Sequence, residues 1–218
     1  MINKGELKKR KERAKIVVKE LRKLFPRAKT ALKHSNALEL LIAVMLSARC
    51  TDKKVNEVTE KLFKKYKHLE DYCEAKQGEF EKDIKSTGFY RNKTKNVLAT
   101  AQMINEKFDG KVPELMEDLI VLPGVARKTA SIVLWTWYGK NEGVAVDTHV
   151  KRISFLCHLT KEKNPDKIEQ DLMDVIPREG WGDFNYRMVE YGREYCPAHK
   201  HDHENCPLEK ALRKGGLS

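Results

Sequence analysis

No stretch of this chain approaches the roughly 18 consecutive apolar residues of a membrane-spanning helix, because its apolar runs are short and interrupted by charge. The first fifteen residues, MINKGELKKRKERAK, lack the apolar core of a secretory signal. A cytoplasmic, nucleoid-associated protein is therefore expected. The five cysteines, Cys50, Cys73, Cys157, Cys196 and Cys206, are an odd number in such a chain, so reduced thiols are expected instead of structural disulfides. Also missing are a P-loop, a dinucleotide-binding glycine fingerprint, a G-x-S-x-G elbow and an H-E-x-x-H pair. Nucleotide hydrolysis, nicotinamide redox chemistry and zinc-protease chemistry thus lose their usual signatures. Neither alternating strand patterns nor an internal repeat can be found.

The chain does carry a large surplus of cations. Across 218 residues it has 43 Lys and Arg against 32 Asp and Glu, a net charge of +11. Ten of those cations and only three of the acids fall within residues 1–24. A basic surplus suits an anionic partner, most simply nucleic acid, and equally suits a solvated helix face. At 40% hydrophobic residues the chain can bury a core, and its length fits one large domain or two small ones.

The apolar periodicity predicts helix after helix. Residues 6–24 place Leu7, Ile16, Val17, Leu21 and Leu24 on an amphipathic helix that Pro26 ends. Residues 37–47 are apolar nearly all round and read as a buried central helix. Further helices are expected over 52–66, 89–108, 113–122, 126–139, 148–159, 166–176 and 181–196. The fold class is all-α. Trp135, Trp137 and Tyr138 read as core.

The most informative stretch is LIVLPGVARKTA, residues 119–130. Two helices joined by Pro123-Gly124-Val125 form a tight hairpin, with Gly124 supplying the backbone freedom of the turn. The unpaired N–H groups at the second helix's start, on its positive dipole end, suit one DNA phosphate, although an ordinary helix–helix turn has the same sequence. Lys128 follows in the first turn, ahead of Ile132, Val133, Leu134 and Trp135. An amine against that apolar wall would have its charged form disfavoured and become a nucleophile. Nineteen residues on, Asp147 of VAVDTHV suits both a helix N-cap and a catalytic carboxylate.

LPGVARKTASIVL followed by VAVDTHVKR resembles the endonuclease III family of helix-hairpin-helix DNA glycosylases. LLIAVMLSARCTDKKVN and STGFYRNKTKNVL extend the likeness upstream, so that it spans residues 30–200 in the same order. The resemblance implies two helical lobes, residues 30–140 and residues 1–29 plus 141–218, with damaged duplex DNA over the cleft between them and a monomeric protein. It implies a bifunctional glycosylase and abasic-site lyase: Lys128 attacks C1′ to form a Schiff base, Asp147 assists, and β-elimination cuts 3′ to the abasic site. The target base must leave the stack to be reached. DNA contacts are implied for Leu122, Gly124, Val125, Ala126, Arg127, Thr129 and His149, with His149 reading mainly as a support for the aspartate loop. Arg49 and Phe89 stand where the family has side chains that fill the vacated stack, but with Gln and Leu in place of these two; a surface ion pair or phosphate contact for Arg49 and core packing for Phe89 remain open. The Thr148-His149 pair favours oxidised pyrimidines of the thymine glycol type over alkylated purines or 8-oxoguanine. A DNA-binding relative without catalysis is the alternative from another class.

The family pattern also has four cysteines, spaced C-x6-C-x2-C-x5-C, holding a [4Fe-4S] cluster. Here those positions read Cys196, His203, Cys206 and Leu212. With two thiolates in place of four, no cofactor is expected and a cluster is disfavoured. Cys196, His203 and Cys206, with His199 and His201, are weak zinc candidates because the spacing is not a common finger pattern. Without metal, Trp181, Phe184, Tyr186 and Tyr191 would hold the segment by packing.

Overall fold

The structure, a computed structural model, describes residues 4–199 and 201–217. Among the described residues there is no strand, and no helix is long and apolar enough to cross a membrane. The chain divides into two units: Thr30–Gly139, and the segments on either side of it, up to Lys29 and from Lys140 onward.

The flanking segments contribute α1 (Lys4–Leu24). The inner unit then holds α2 (Ala37–Leu46), α3 (Asp52–Lys65), α4 (Leu69–Cys73), α5 (Gln77–Ile84), α6 (Tyr90–Lys107), α7 (Met116–Leu119) and α8 (Arg127–Tyr138). The chain returns to the outer unit with α9 (Thr148–Leu156), α10 (Pro165–Val175), α11 (Trp181–Glu194) and α12 (Pro207–Lys214).

The central helix of the inner unit is α2. The Asn36 side chain accepts the Glu39 N–H at 2.8 Å at its start, and every residue from Leu40 to Leu46 is buried. A helix covered on all sides needs no polar face, which explains its uninterrupted apolar run. Around it Leu62, Tyr72, Phe80, Ile84, Ile104, Leu119 and Leu134 complete one core. The helix expected over 113–122 is confined to the single turn Met116–Leu119, with an extended Leu115 before it. Downstream, Pro123 disfavours helical backbone at Leu122 and ends the element early.

The outer unit has its own core. Ala14, Val17 and Leu21 of α1 meet Ile153, Ile168, Leu172, Phe184, Met188 and Tyr191. Trp181 is half-buried and donates from Nε1 to the Ile176 carbonyl at 2.8 Å. One cation of the basic N-terminal run belongs to this interior. Arg10 is buried, donates from Nε to the Leu159 carbonyl at 2.8 Å and pairs with Asp171 at 3.0 Å, while Thr160 also donates to Asp171. Eight others, including Lys8, Lys11, Lys15 and Lys19, are exposed.

Removing one partner from a buried ion pair leaves the other charged and unpaired, at a cost of about 3 kcal/mol. Arg10→Ala is expected to lose about that much stability in urea unfolding, whereas Lys11→Ala, one residue away on the exposed face, stays within about 0.5 kcal/mol of the parent.

Candidate active site and nucleic-acid interface

The hairpin forms as expected. Gly124 takes φ +76°, and a Cβ there would lie 2.5 to 2.8 Å from Asn96 side-chain atoms, so both backbone and space demand glycine. The Thr100 hydroxyl donates to the Pro123 carbonyl at 2.8 Å and ties the turn to α6. Ala126 is the N-cap of α8 and no side chain caps that end. The first N–H groups of α8 therefore have no side-chain cap and lie at the positive end of the helix dipole. Leu122 and Val125 are only 2% and 5% exposed, so their side chains serve the core and cannot be contact surface.

Lys128 is exposed, which corrects the expectation of an apolar wall around its amine. At 100° per residue, the buried Ala130, Val133 and Leu134 centre on the side of α8 opposite Lys128. Arg127 and Thr129, its neighbours in the first turn, are half-buried. Trp137, also expected in the core, is 43% exposed and meets the His34 ring edge-on at 6.1 Å. Trp135 is half-buried, and Tyr138 packs against the core with its hydroxyl donating to the Val112 carbonyl at 2.7 Å.

Arg49 and Phe89 come together. The guanidinium lies 5.0 Å from the Phe89 ring centroid. Phe89 is 59% exposed, which rules out the core-packing role. Both residues hold left-handed backbone, φ +54° and +50°, a conformation costing about 1–3 kcal/mol for each such residue. They line one groove of about 180 Å³ with Asn92, Asn96 and hairpin residue Gly124.

Sequence reasoning missed the residue that builds this arrangement. Lys93 is buried; its Nζ donates to the Leu46 carbonyl at 2.7 Å and the Thr87 carbonyl at 2.8 Å. Burial pushes its pKa below the usual lysine value. Leu46 ends α2 just before the Arg49 loop, and Thr87 lies just before Phe89, so one ammonium holds both loops. Nothing in the run RNKTKN separates this lysine from a solvated one.

In the outer unit, Asp147 is the N-cap of α9: its Oδ1 accepts the Val150 N–H at 2.8 Å, leaving Oδ2 outside the cap. The preceding segment is pinned by buried Val144 and Val146 and by Asn185, which donates to the Ala145 carbonyl at 3.0 Å. His149 is half-buried against bare backbone at Gly192 of α11, where a Cβ would fall 2.2 Å from its Nδ1. Burial lowers the His149 pKa, opposed by the nearby Asp147 charge.

The expectation of no cofactor is corrected. Cys196, His201, His203 and Cys206 bring their ligand atoms within 4.8 Å of one another, a set able to hold a metal ion. Of the five candidates in the sequence, His201 belongs to the set although it lies outside the family-pattern positions, whereas His199 does not. Phe184, Tyr186 and Tyr191 are buried nearby in sequence, as the packing reading required, but packing is not the only device available to this segment.

Residues 42–178 match the model of the HhH-GPD superfamily of base excision DNA repair proteins. The endonuclease III of Synechocystis sp. is 46% identical over 88% of this chain and 87% of its own. Among solved structures, a non-covalent endonuclease III–DNA complex superposes with a TM-score of 0.87 at 40% identity, covering 99% of this chain and 98% of that one. A trapped endonuclease III–DNA covalent intermediate, the estranged-adenine complex, gives 0.86 at 39%, covering 98% and 100%.

Two outcomes are expected. Because His149 has a lowered pKa when folded, the unfolded chain binds its proton first as pH falls through about 6.5. Its contribution to stability is therefore complete at pH 7 and shrinks on acidification until the folded pKa is passed. Urea midpoints between pH 7.5 and 5 should fall more steeply for the parent than for His149→Gln. Lys93→Met, which leaves two buried carbonyls without their donor, should cost about 1–3 kcal/mol and speed amide hydrogen exchange selectively over residues 47–51 and 87–91.

Proposed function

Because the chain belongs to the endonuclease III family within the HhH-GPD superfamily of base excision DNA repair proteins, we propose that it excises oxidised pyrimidines from duplex DNA with Lys128 as nucleophile and Asp147 as its assisting carboxylate. The protein is a bifunctional DNA glycosylase and abasic-site lyase whose partner is damaged duplex DNA. The reading of the residues rests above all on their types: a lysine at the start of a hairpin helix and an aspartate held by a helix cap. An amine forms an imine with C1′, which a carboxylate activating water does not.

In this reading the hairpin amides of α8 take a backbone phosphate, and Phe89 with Arg49 enters the space the extruded base leaves. An exposed aromatic on left-handed backbone, with a cation over its face, suits stacking against unpaired bases. The Lys128 amine attacks C1′, the base leaves with the electrons of the glycosidic bond, and opening of the sugar gives the Schiff base. Loss of a C2′ proton then expels the 3′ phosphate. Asp147 stabilises the positive charge that develops on the sugar, through the oxygen left outside the cap. Exposed Lys8, Lys11, Lys15 and Lys19 on α1 add sequence-independent attraction to phosphate, so affinity falls with salt.

Borohydride trapping on duplexes carrying thymine glycol or an abasic site tests the assignment. The parent should give a covalent adduct on both, and Lys128→Ala on neither. Asp147→Asn, which keeps the capping oxygen, should slow base release about 100-fold or more while leaving the melting temperature nearly unchanged. An adduct that survives Lys128→Ala would overturn the nucleophile, and trapping on the abasic duplex alone would overturn the pyrimidine substrate.

A further inference from the structure

We propose that Cys196, His201, His203 and Cys206 form a structural zinc site that clasps the end of α11 to the start of α12. Two thiols and two imidazoles are a donor set of tetrahedral Zn²⁺. Bond lengths of about 2.0–2.3 Å to a central ion put neighbouring donor atoms about 3.4–3.8 Å apart. Cys206 Sγ lies 3.4 Å from His201 Nε2, and Cys196 Sγ lies 3.7 Å from His203 Nδ1. All four donor atoms fall within 4.8 Å of one another. Such a spacing suits donors that share one ion. A cubane cluster binds each thiolate to a different iron, holds the four farther apart and needs four of them; Leu212, buried in the core, has no donor to give.

The surroundings are those of built ligands. His201 Nδ1 donates to the His199 carbonyl at 3.0 Å, which fixes the tautomer and leaves Nε2 with a lone pair facing Cys206. Arg152 of α9 donates to Cys196 Sγ at 3.2 Å and to the Cys196 carbonyl at 2.6 Å, placing a permanent cation where a metal-bound thiolate needs one. Both cysteines are buried. The ligands also sit at structural joints: Cys196 follows α11, Cys206 is the N-cap of α12, and among the described residues of the loop between them the one helical turn is the three-residue 3-10 turn His203–Asn205. One ion there replaces the core that this polar loop cannot make. Its role is structural: all four ligands come from the protein, which leaves no open position for catalysis.

Plasma mass spectrometry of the full, untagged chain purified without chelator should find about one zinc per chain. His201→Ala and Cys206→Ser should each lower that content about fivefold or more. His199→Ala, which keeps the carbonyl, should retain the zinc. Should a variant fold poorly, cobalt(II) titrated into parent protein stripped by a chelator supplies an independent readout. It should give thiolate-to-cobalt charge-transfer and tetrahedral d–d bands at one equivalent, and stripping should lower the melting temperature reversibly. Zinc below about 0.2 per chain, zinc unchanged in His201→Ala and Cys206→Ser, octahedral cobalt spectra, or iron with acid-labile sulfide would each overturn the site.

Discussion

The loops that carry Arg49 and Phe89 depend on one buried ammonium. Lys93 gives up water for the carbonyls of Leu46 and Thr87, and burial makes that charge costly enough that both bonds must be kept. The two carbonyls come from segments 41 positions apart, which explains why the short loops after them can hold Arg49 and Phe89 in strained left-handed backbone. Strain of this kind persists only where neighbouring structure over-determines it. The hairpin is seated on the same helix: α6 supplies Lys93 for the loops, Asn96 against Gly124, and Thr100 for the Pro123 carbonyl. Three positions on one helix thus hold the two loops and the hairpin in place.

In the outer unit α9 plays the corresponding part. Asp147 begins it, His149 rests on Gly192, and Arg152 reaches Cys196. A carboxylate that is also a helix cap has little rotational freedom, so the bond that stabilises the helix also fixes where its second oxygen points. The cap uses one oxygen and leaves the other outside it. The contact at Gly192 has no such tolerance, since any side chain there displaces the imidazole two residues from the carboxylate.

The fold was legible because its signals are local and redundant. The nearly all-apolar α2, the Asn164-Pro165 start of α10 and the cap at Asp147 each follow from neighbouring residues, and the structure has them where the pattern places them. Lys128, Asp147 and Gly124 stood out because hairpin and lysine occur in one short motif. The environment of Lys128 was misjudged because adjacency in sequence was read as adjacency in space: on a helix Val133 and Leu134 turn toward the far side, while Ile132 and Trp135 on its own side are only half-buried. Trp137 failed for the opposite reason, since large apolar side chains are not obliged to be buried. Lys93 was invisible, and His201 could not be told apart from His199 as a ligand, for a common reason. Each gains its meaning from a partner distant in chain or brought near by loop closure, and neither residue type carries that information alone.

Where local rules are broken, the breakages concentrate. Phe89 is an aromatic that is exposed, left-handed and capped by a guanidinium; each property is uncommon, and none improves the packing of the unit. Asp109 and His158 share the left-handed backbone, but they follow helices, where such a residue closes the last turn and needs no further reason. Phe89 precedes α6 and closes nothing. A conformation that costs stability and earns no packing is retained for what it presents, which here is a flat apolar face at the edge of a groove shared with the hairpin.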